Sequence, residues 1–197
     1  MQHGTRLLRN SWKVISLASI AVMFSQHGFT LKQITGRSMQ PTLNPEPCIW
    51  KDVVLFNRFT VFARDDLGIK RGDIVTLRSP VNPNETVVKR VIALPGETVY
   101  TLPPYPKERI QVPEGYIWVE GDEPFWTLDS NSWGPVPLAL VDAKLTYIIW
   151  PLNRFGPLKP TKVRDPSVPR IPLGSDPAWK RQIAEIQQDQ WLHGRTK

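Results

Sequence analysis

The sequence predicts a mainly β fold built on antiparallel strands, and three observations lead to this prediction. Six segments between residues 48 and 150 are rich in Val, Ile, Thr, Tyr and Trp, the residues that pleated strands favour. Turn signals such as Pro95-Gly96 separate these segments. The 20 prolines are spread along the chain and disfavour long helices. The length of 197 residues fits one such domain with an anchor or a tail.

The predicted strands follow one another between residues 30 and 155, which form the predicted folded body. They lie at residues 48–58, 73–79, 85–94, 97–102, 115–121 and 143–150. No long helical periodicity and no internal repeat interrupts them.

The N-terminal part of the chain has the features of a membrane-directed segment. Residues 1–13 are basic and contain no acidic residue, and residues 14–29 carry no Lys, Arg, Asp or Glu. The uncharged stretch is slightly shorter than the ~20 residues that span a bilayer. A membrane anchor, a signal-peptide core and an amphipathic targeting segment all fit it. The anchor is favoured because no small-x-small cleavage site follows, and the acid-free start suits mitochondrial import.

Residues 156–197 differ in composition from the body. Residues 156–177 contain six prolines and read as an extended connector. Residues 177–193 predict a short helix that places Trp179, Ile183 and Ile186 on one face. That face fits either docking onto the body or contact with a partner or a membrane surface.

Charge, cysteine and histidine content exclude several classes of protein. The net charge of +7 is not concentrated in blocks, which indicates a solvated basic surface and argues against nucleic-acid binding. Cys48 is the single cysteine, so no intramolecular disulfide forms. His3, His27 and His193 all lie outside the body. A histidine base and a His/Cys zinc site are therefore not expected there.

Two residues of the body are candidates for chemistry without histidine. Ser38 lies in a loop that Gly36 makes adaptable and that Pro41 and Pro45 stiffen. Strand alternation places Lys89 on one face with apolar neighbours. Burial there would lower the pKa of the lysine, and a neutral lysine can act as general base on a serine hydroxyl. An exposed edge-strand lysine and a polar turn serine remain the alternatives.

Four segments, taken in order, resemble the conserved boxes of type I signal peptidases. Residues 36–43, GRSMQPTL, look like the nucleophile box, and residues 71–75, RGDIV, are similar to the next box. Residues 89–97, KRVIALPGE, resemble the box of the catalytic lysine. Residues 121–136, with Gly-Asp, Asp-Ser and Gly-Pro-Val, match the last box. Each box alone is weak, but four in the same order form a strong joint signal.

This resemblance implies a membrane-bound serine endopeptidase that removes signal or sorting peptides, with Ser38 as nucleophile and Lys89 as general base. It implies an antiparallel, barrel-like β fold on an N-terminal transmembrane helix, and no metal or organic cofactor. Supporting roles in the oxyanion hole, lysine orientation and loop bracing fall to Gly36, Met39, Thr127 and Asp129. Many bacterial members carry an oxyanion-binding serine where Gly36 stands here, so the second oxyanion donor is unassigned.

Within this family the chain looks most like the mitochondrial inner membrane peptidases. Asn131 stands where bacterial members usually have arginine, and residues 149–151, IWP, are also similar to this branch. The resemblance implies a heterodimer with the first peptidase subunit and precursor proteins as substrates. It also implies a single pass through the inner membrane, with the catalytic domain facing the intermembrane space. The alternatives are a catalytically silent scaffold subunit, a bacterial or thylakoid signal peptidase, a self-cleaving Ser-Lys repressor and a plain basic binding module.

Overall fold

The computed structural model describes residues 28–47, 49–62, 68–123, 126–158 and 163–168. These residues form ten strands, two short α-helices and two 3₁₀ turns, the latter at Leu138–Leu140 and Leu152–Arg154. The strands are β1 Phe29–Gln33, β2 Val53–Asn57, β3 Ile74–Arg78, β4 Thr86–Ala93, β5 Thr98–Tyr100, β6 Arg109–Gln111, β7 Tyr116–Glu120, β8 Val136–Pro137, β9 Val141–Trp150 and β10 Gly156–Pro157. The helices are α1 Phe59–Phe62 and α2 Ser130–Trp133.

Eight of the strands form one sheet in the order β1-β2-β9-β3-β4-β7-β8, with β10 also paired to β9. All the pairings are antiparallel, and β5 and β6 form a separate two-stranded sheet. The predicted mainly β, antiparallel fold is confirmed. Five of the six predicted strand segments each contain one observed strand, and the sixth, residues 143–150, covers all of β9 except its first two residues. β1, β6, β8 and β10 were not predicted.

The ten-residue strand β9 organises the sheet because it pairs with β2 on one side and β3 on the other. Register shifts interrupt both pairings, and such bulges increase the local twist. One apolar cluster packs β2 and β9 against Met39 and Leu43 of the loop before β2. A second cluster joins β3, β4 and β7. The loop that contains Ser38 is therefore held by the core beside the sheet.

The predicted terminal segments lie mostly outside the described residues. The predicted anchor, residues 14–29, overlaps them only at Gly28 and Phe29, and Phe29 is the first residue of β1. Within the described part of the chain, no helix is both long enough and apolar enough to cross a membrane. The predicted helix at residues 177–193 also lies outside the description.

Part of the predicted connector belongs to the body. β10 adds to the sheet just beyond the predicted boundary at residue 155. Further on, Pro166 accepts a backbone hydrogen bond from the Tyr100 amide at 2.8 Å. Arg164 is largely buried and pairs with Glu120 on β7, with 2.5 Å between Nη2 and Oε1. Residues 163–168 thus pack on the folded body.

Candidate active site

Lys89 is a buried lysine on strand β4. Its side chain lies in the interior, with only 3% of the residue exposed. Two valines next to Lys89 are fully buried. Val75 on β3 is the cross-strand partner of Lys89, and Val91 lies two residues further along β4. The ammonium group donates a hydrogen bond to Thr127 Oγ1 at 2.8 Å. The amine is thereby held in one orientation inside an apolar environment.

Burial lowers the pKa of Lys89 to about 8, because the charged form loses its hydration. The nearby carboxylates of Asp129 and Asp122 oppose this effect and raise the pKa, but to a smaller extent. A lysine with this pKa supplies a substantial fraction of neutral amine at mildly alkaline pH. Such an amine can accept a proton from a hydroxyl group.

Ser38 lies half-buried in a loop that Met39 and Leu43 anchor in the core. Met39 and Leu43 are 1% and 0% exposed, and the Leu43 amide donates to the Met39 carbonyl at 2.8 Å. The Gln40 amide donates to the Arg37 carbonyl at 2.9 Å and closes a turn around the serine. These contacts hold the backbone on both sides of Ser38 in place.

Gly121 brings the Ser38 loop against the residue that holds Lys89. A Cβ atom on Gly121 would lie 2.6 Å from the Ser38 carbonyl oxygen and 2.3 Å from Thr127 Oγ1. Both distances are far below van der Waals contact, so the site requires glycine at this position. Two residues further on, the Glu123 amide donates to the Ser38 carbonyl at 3.1 Å. The serine loop and the lysine's hydrogen-bond partner therefore adjoin the same turn.

Asp129 closes the site from the start of helix α2. Its carboxylate caps this helix by accepting from the Asn131 amide at 2.9 Å, and it also accepts from the Gly121 amide at 3.0 Å. Burial raises the pKa of Asp129 to about 6, and the carboxylate of Glu120 adds to the effect. The charge of Lys89 opposes both. Asp129 thus fixes the backbone of the loop and sets the electrostatic environment of the lysine.

Asn131 connects this loop to the second sheet. Its side-chain Nδ2 donates to Asp129 Oδ1 at 3.1 Å, and its Oδ1 accepts from the Leu102 amide at 2.7 Å. A neutral amide can make both bonds, since it is donor and acceptor at once.

Arg90 and Asp122 form an ion pair directly beside the site. The Arg90 guanidinium binds both carboxylate oxygens of Asp122, at 2.7 and 2.6 Å. The same group donates to the Thr42 hydroxyl at 3.2 Å and thus reaches the Ser38 loop. Because Arg90 follows Lys89 in strand β4, the two side chains point to opposite faces.

Gly36 and Met39 are the two predicted supporting residues that lie next to Ser38 in its loop. Gly36 does not use the backbone freedom expected of it, since its φ is not positive, and a Cβ there would meet nothing within 4 Å. Met39 is a buried core residue, so its contribution to the site is to anchor the loop. Thr127 accepts the hydrogen bond of Lys89, and the carboxylate of Asp129 raises the pKa of the lysine.

Sequence reasoning placed Gly121 and Asp122 in a motif but missed the contacts that they make. The only sign of the Arg90–Asp122 ion pair in the sequence was that Arg90 directly follows the candidate lysine. Nothing in the sequence indicated that the Ser38 loop and Thr127 both pack closely against Gly121, because this contact depends on how the Ser38 loop lies on the sheet.

Comparisons with known proteins give one family match and several similar proteins. The family described as Signal peptidase, peptidase S26 matches residues 8–103, which include Ser38 and Lys89. Mitochondrial inner membrane protease subunit 2 of Saccharomyces cerevisiae is 40% identical over 152 residues, covering 77% of this chain and 85% of that protein. The Homo sapiens protein of the same name is 44% identical over 140 residues, covering 71% and 78%. A crystal structure of a signal peptidase I from Enterococcus faecalis is 29% identical in sequence to this chain. The match covers 40% of this chain and 97% of the Enterococcus chain, with a TM-score of 0.35.

A buried, hydrogen-bonded lysine beside a core-anchored serine loop thus accompanies a family match that spans both residues. The chain belongs to the signal peptidase S26 family of peptidases. Within that family it belongs with the mitochondrial inner membrane protease subunit 2 proteins, at 40–44% identity over most of the chain.

Proposed function

We propose that the chain is the catalytic serine endopeptidase that removes sorting peptides from precursors delivered to the mitochondrial intermembrane space. Its relatives are named as mitochondrial inner membrane proteases, which supports this location. The catalytic domain faces the intermembrane space, and a single N-terminal segment anchors it in the inner membrane. The name of the relatives as a subunit supports assembly with a second chain, which we propose to be the first subunit of the same protease.

The reaction proceeds through an acyl-enzyme. Neutral Lys89 takes the proton of the Ser38 hydroxyl, and Ser38 Oγ attacks the scissile carbonyl. The amide of Ser38 stabilises the oxyanion. Lys89 then returns the proton to the leaving amine as the C–N bond breaks. In the second half, Lys89 removes a proton from water, the hydroxide attacks the ester carbonyl, and Ser38 leaves as the protonated alcohol.

The environment of Lys89 is the main support for this proposal. Lys89 is buried, donates a hydrogen bond to Thr127 at 2.8 Å and has a pKa lowered to about 8. A buried lysine costs stability unless its charge is compensated. Such costs concentrate at functional sites, where the shifted pKa serves the chemistry. A scaffold subunit that only supports a partner gains nothing from this arrangement.

The test is cleavage of a precursor by the intact membrane complex that carries substitutions in this chain. Ser38→Ala and Lys89→Met are each expected to lower kcat by at least about 10³-fold, because neither half of the reaction proceeds without them. Lys107→Met, at an exposed lysine of the β5–β6 connection, is the matched control and should retain normal turnover. Normal cleavage of this chain's own substrates by the Ser38→Ala complex would show that the chain is a scaffold.

A further inference from the structure

We propose that Arg154 is a positioning residue for the nucleophile loop, which it holds through Asp52 and the Thr42 carbonyl. This inference rests on the proposed function of Ser38. Arg154 ends a 3₁₀ turn, Leu152–Arg154, that directly follows strand β9. The Ser38 loop and β9 are far apart in sequence, and this side chain connects them.

Arg154 reaches the loop with two separate hydrogen bonds. Its Nη1 lies 2.5 Å from Asp52 Oδ2, and its Nη2 lies 2.7 Å from the Thr42 carbonyl oxygen. The pairing of Val53 with Trp150 brings the start of β2 next to the end of β9 and makes this contact possible. A planar guanidinium fixes two acceptors in a defined relation, which a lysine ammonium does not do as well.

Asp52 transmits this contact to both ends of the loop. Its Oδ2 also accepts from the Asn44 amide at 2.8 Å, and its own amide donates to Asn44 Oδ1 at 2.7 Å. Asn44 Nδ2 in turn donates to the Ile34 carbonyl at 2.8 Å. Hydrogen bonds therefore connect the start of β2 to the chain before Ser38 and to the chain after it. We call the three residues that make these bonds, Asn44, Asp52 and Arg154, the polar network of the loop.

Thr42 is held from a second direction as well. While Arg154 binds its carbonyl, its hydroxyl accepts from Arg90 Nη2 at 3.2 Å. Arg90 is the neighbour of Lys89 in β4. The Ser38 loop is thus held in position relative to β9 and to β4, the strand that carries the proposed base. Proton transfer from Ser38 to Lys89 depends on this position.

Arg154 is the partner that compensates the charge of Asp52. Asp52 is completely buried, and its Oδ1 has no hydrogen-bond partner among the described residues. Removing Arg154 leaves a buried carboxylate with only the Asn44 amide at Oδ2. The polar network of the loop would then rearrange so that water can reach the Asp52 carboxylate, and the Ser38 loop would move as a result. A displacement of about 1 Å in a reacting group is enough to cost ~10²-fold in rate.

The test compares Arg154→Met, Arg154→Lys and a matched control in the intact complex, assayed well below each variant's unfolding midpoint. Arg58→Met is the control, because Arg58 pairs with Asp142 and links the opposite end of β2 to β9, with Nε 3.2 Å from Oδ1. Arg154→Met should lower kcat about 30–100-fold with KM changed less than about threefold. Arg154→Lys should recover part of the loss. Arg58→Met should lose stability but keep its kcat.

The pH profile separates positioning from an effect on the base. The acid limb of kcat/KM should stay in place in Arg154→Met, since the groups around Lys89, namely Thr127, Asp129 and Asp122, are untouched. Full kcat in Arg154→Met, or a displaced acid limb, would overturn the inference. Should that variant not fold, Asp52→Asn removes the same ion pair with little change of shape and must show the same loss of kcat.

Failure of this inference can be told apart from failure of the proposed function. If the unsubstituted complex cleaves its precursor and Ser38→Ala does not, the proposed function stands. Normal kcat in Arg154→Met then refutes the positioning role alone. If Ser38→Ala cleaves normally, the proposed function fails and the positioning role fails with it.

Discussion

Gly121 is the residue on which the geometry of the site depends most directly. Its α-carbon separates the carbonyl of the nucleophile from the hydroxyl that holds the proposed base. Neither neighbour can retreat easily: one is backbone, and Thr127 is 3% exposed. The two halves of the site can adjoin only because this position has no side chain.

Gly121→Ala is therefore expected to abolish precursor cleavage, with a loss in kcat/KM of at least about 10²-fold. The added methyl group must push either the Ser38 loop or Thr127 away. Asn84→Ala, in an exposed turn, is the control and should retain normal turnover. Both variants are compared by initial rates at equal amounts of folded complex. An active Gly121→Ala variant would mean that Ser38 and Thr127 need not be this close.

At the scale of elements, helix α2 and the loop before it form the support of the lysine. Asp129 caps the helix and also binds the amide that follows β7. Asn131 then joins this unit to the segment that follows β5. Since the helix has only one turn, its geometry depends on these side-chain bonds.

Asn131→Ala should lower the free energy of unfolding by about 1–3 kcal/mol, because the Leu102 amide and the buried Asp129 carboxylate both lose a partner. Hydrogen exchange at the Leu102 amide should accelerate. The measurements are chemical denaturation and amide exchange of the isolated chain. Asn84→Ala, in an exposed turn, should change the stability by less than about 0.5 kcal/mol. Equal stability of the two variants would contradict the supporting role of Asn131.

The same elements explain which parts of the structure were predictable from sequence. Strand β4 was predictable because β-branched residues are a local signal. Two-residue alternation placed Lys89 on an apolar face but left open whether the side chain is buried, because an exposed edge-strand lysine fits the same pattern. β1, Phe29–Gln33, was missed because its first residue also ends the uncharged segment, residues 14–29, that was interpreted as an anchor. The Arg154–Asp52 pair spans 102 positions of sequence and exists only through the register of β2 on β9.

At the scale of the whole molecule, the buried lysine costs stability. The folded protein holds the pKa of Lys89 near 8, whereas an unfolded lysine has a value near 10.5. Between these two values the unfolded chain binds more protons than the folded one. The stability of the protein relative to a variant without this lysine therefore rises with pH across that window.

The expected size of this rise is about 3 kcal/mol between pH 8 and pH 10.5, from about 1.4 kcal/mol per pKa unit. It is measured as the difference in unfolding free energy between the unsubstituted chain and Lys89→Met, by denaturant titration at several pH values. Lys107→Met, at an exposed lysine, is the control for loss of a lysine at the surface. A flat Lys89→Met difference would show that the pKa of Lys89 is not lowered.

The role of Lys89 as the base for Ser38 predicts a specific pH dependence of kcat/KM for precursor cleavage. The rate should rise with pH along a one-proton acid limb with a midpoint near 8, since only the neutral amine accepts the proton. Asp129→Asn removes a charge that raises the pKa of Lys89, so it should move this limb to lower pH. A flat profile between pH 6 and 9, or a limb that Asp129→Asn leaves in place, would contradict the assignment.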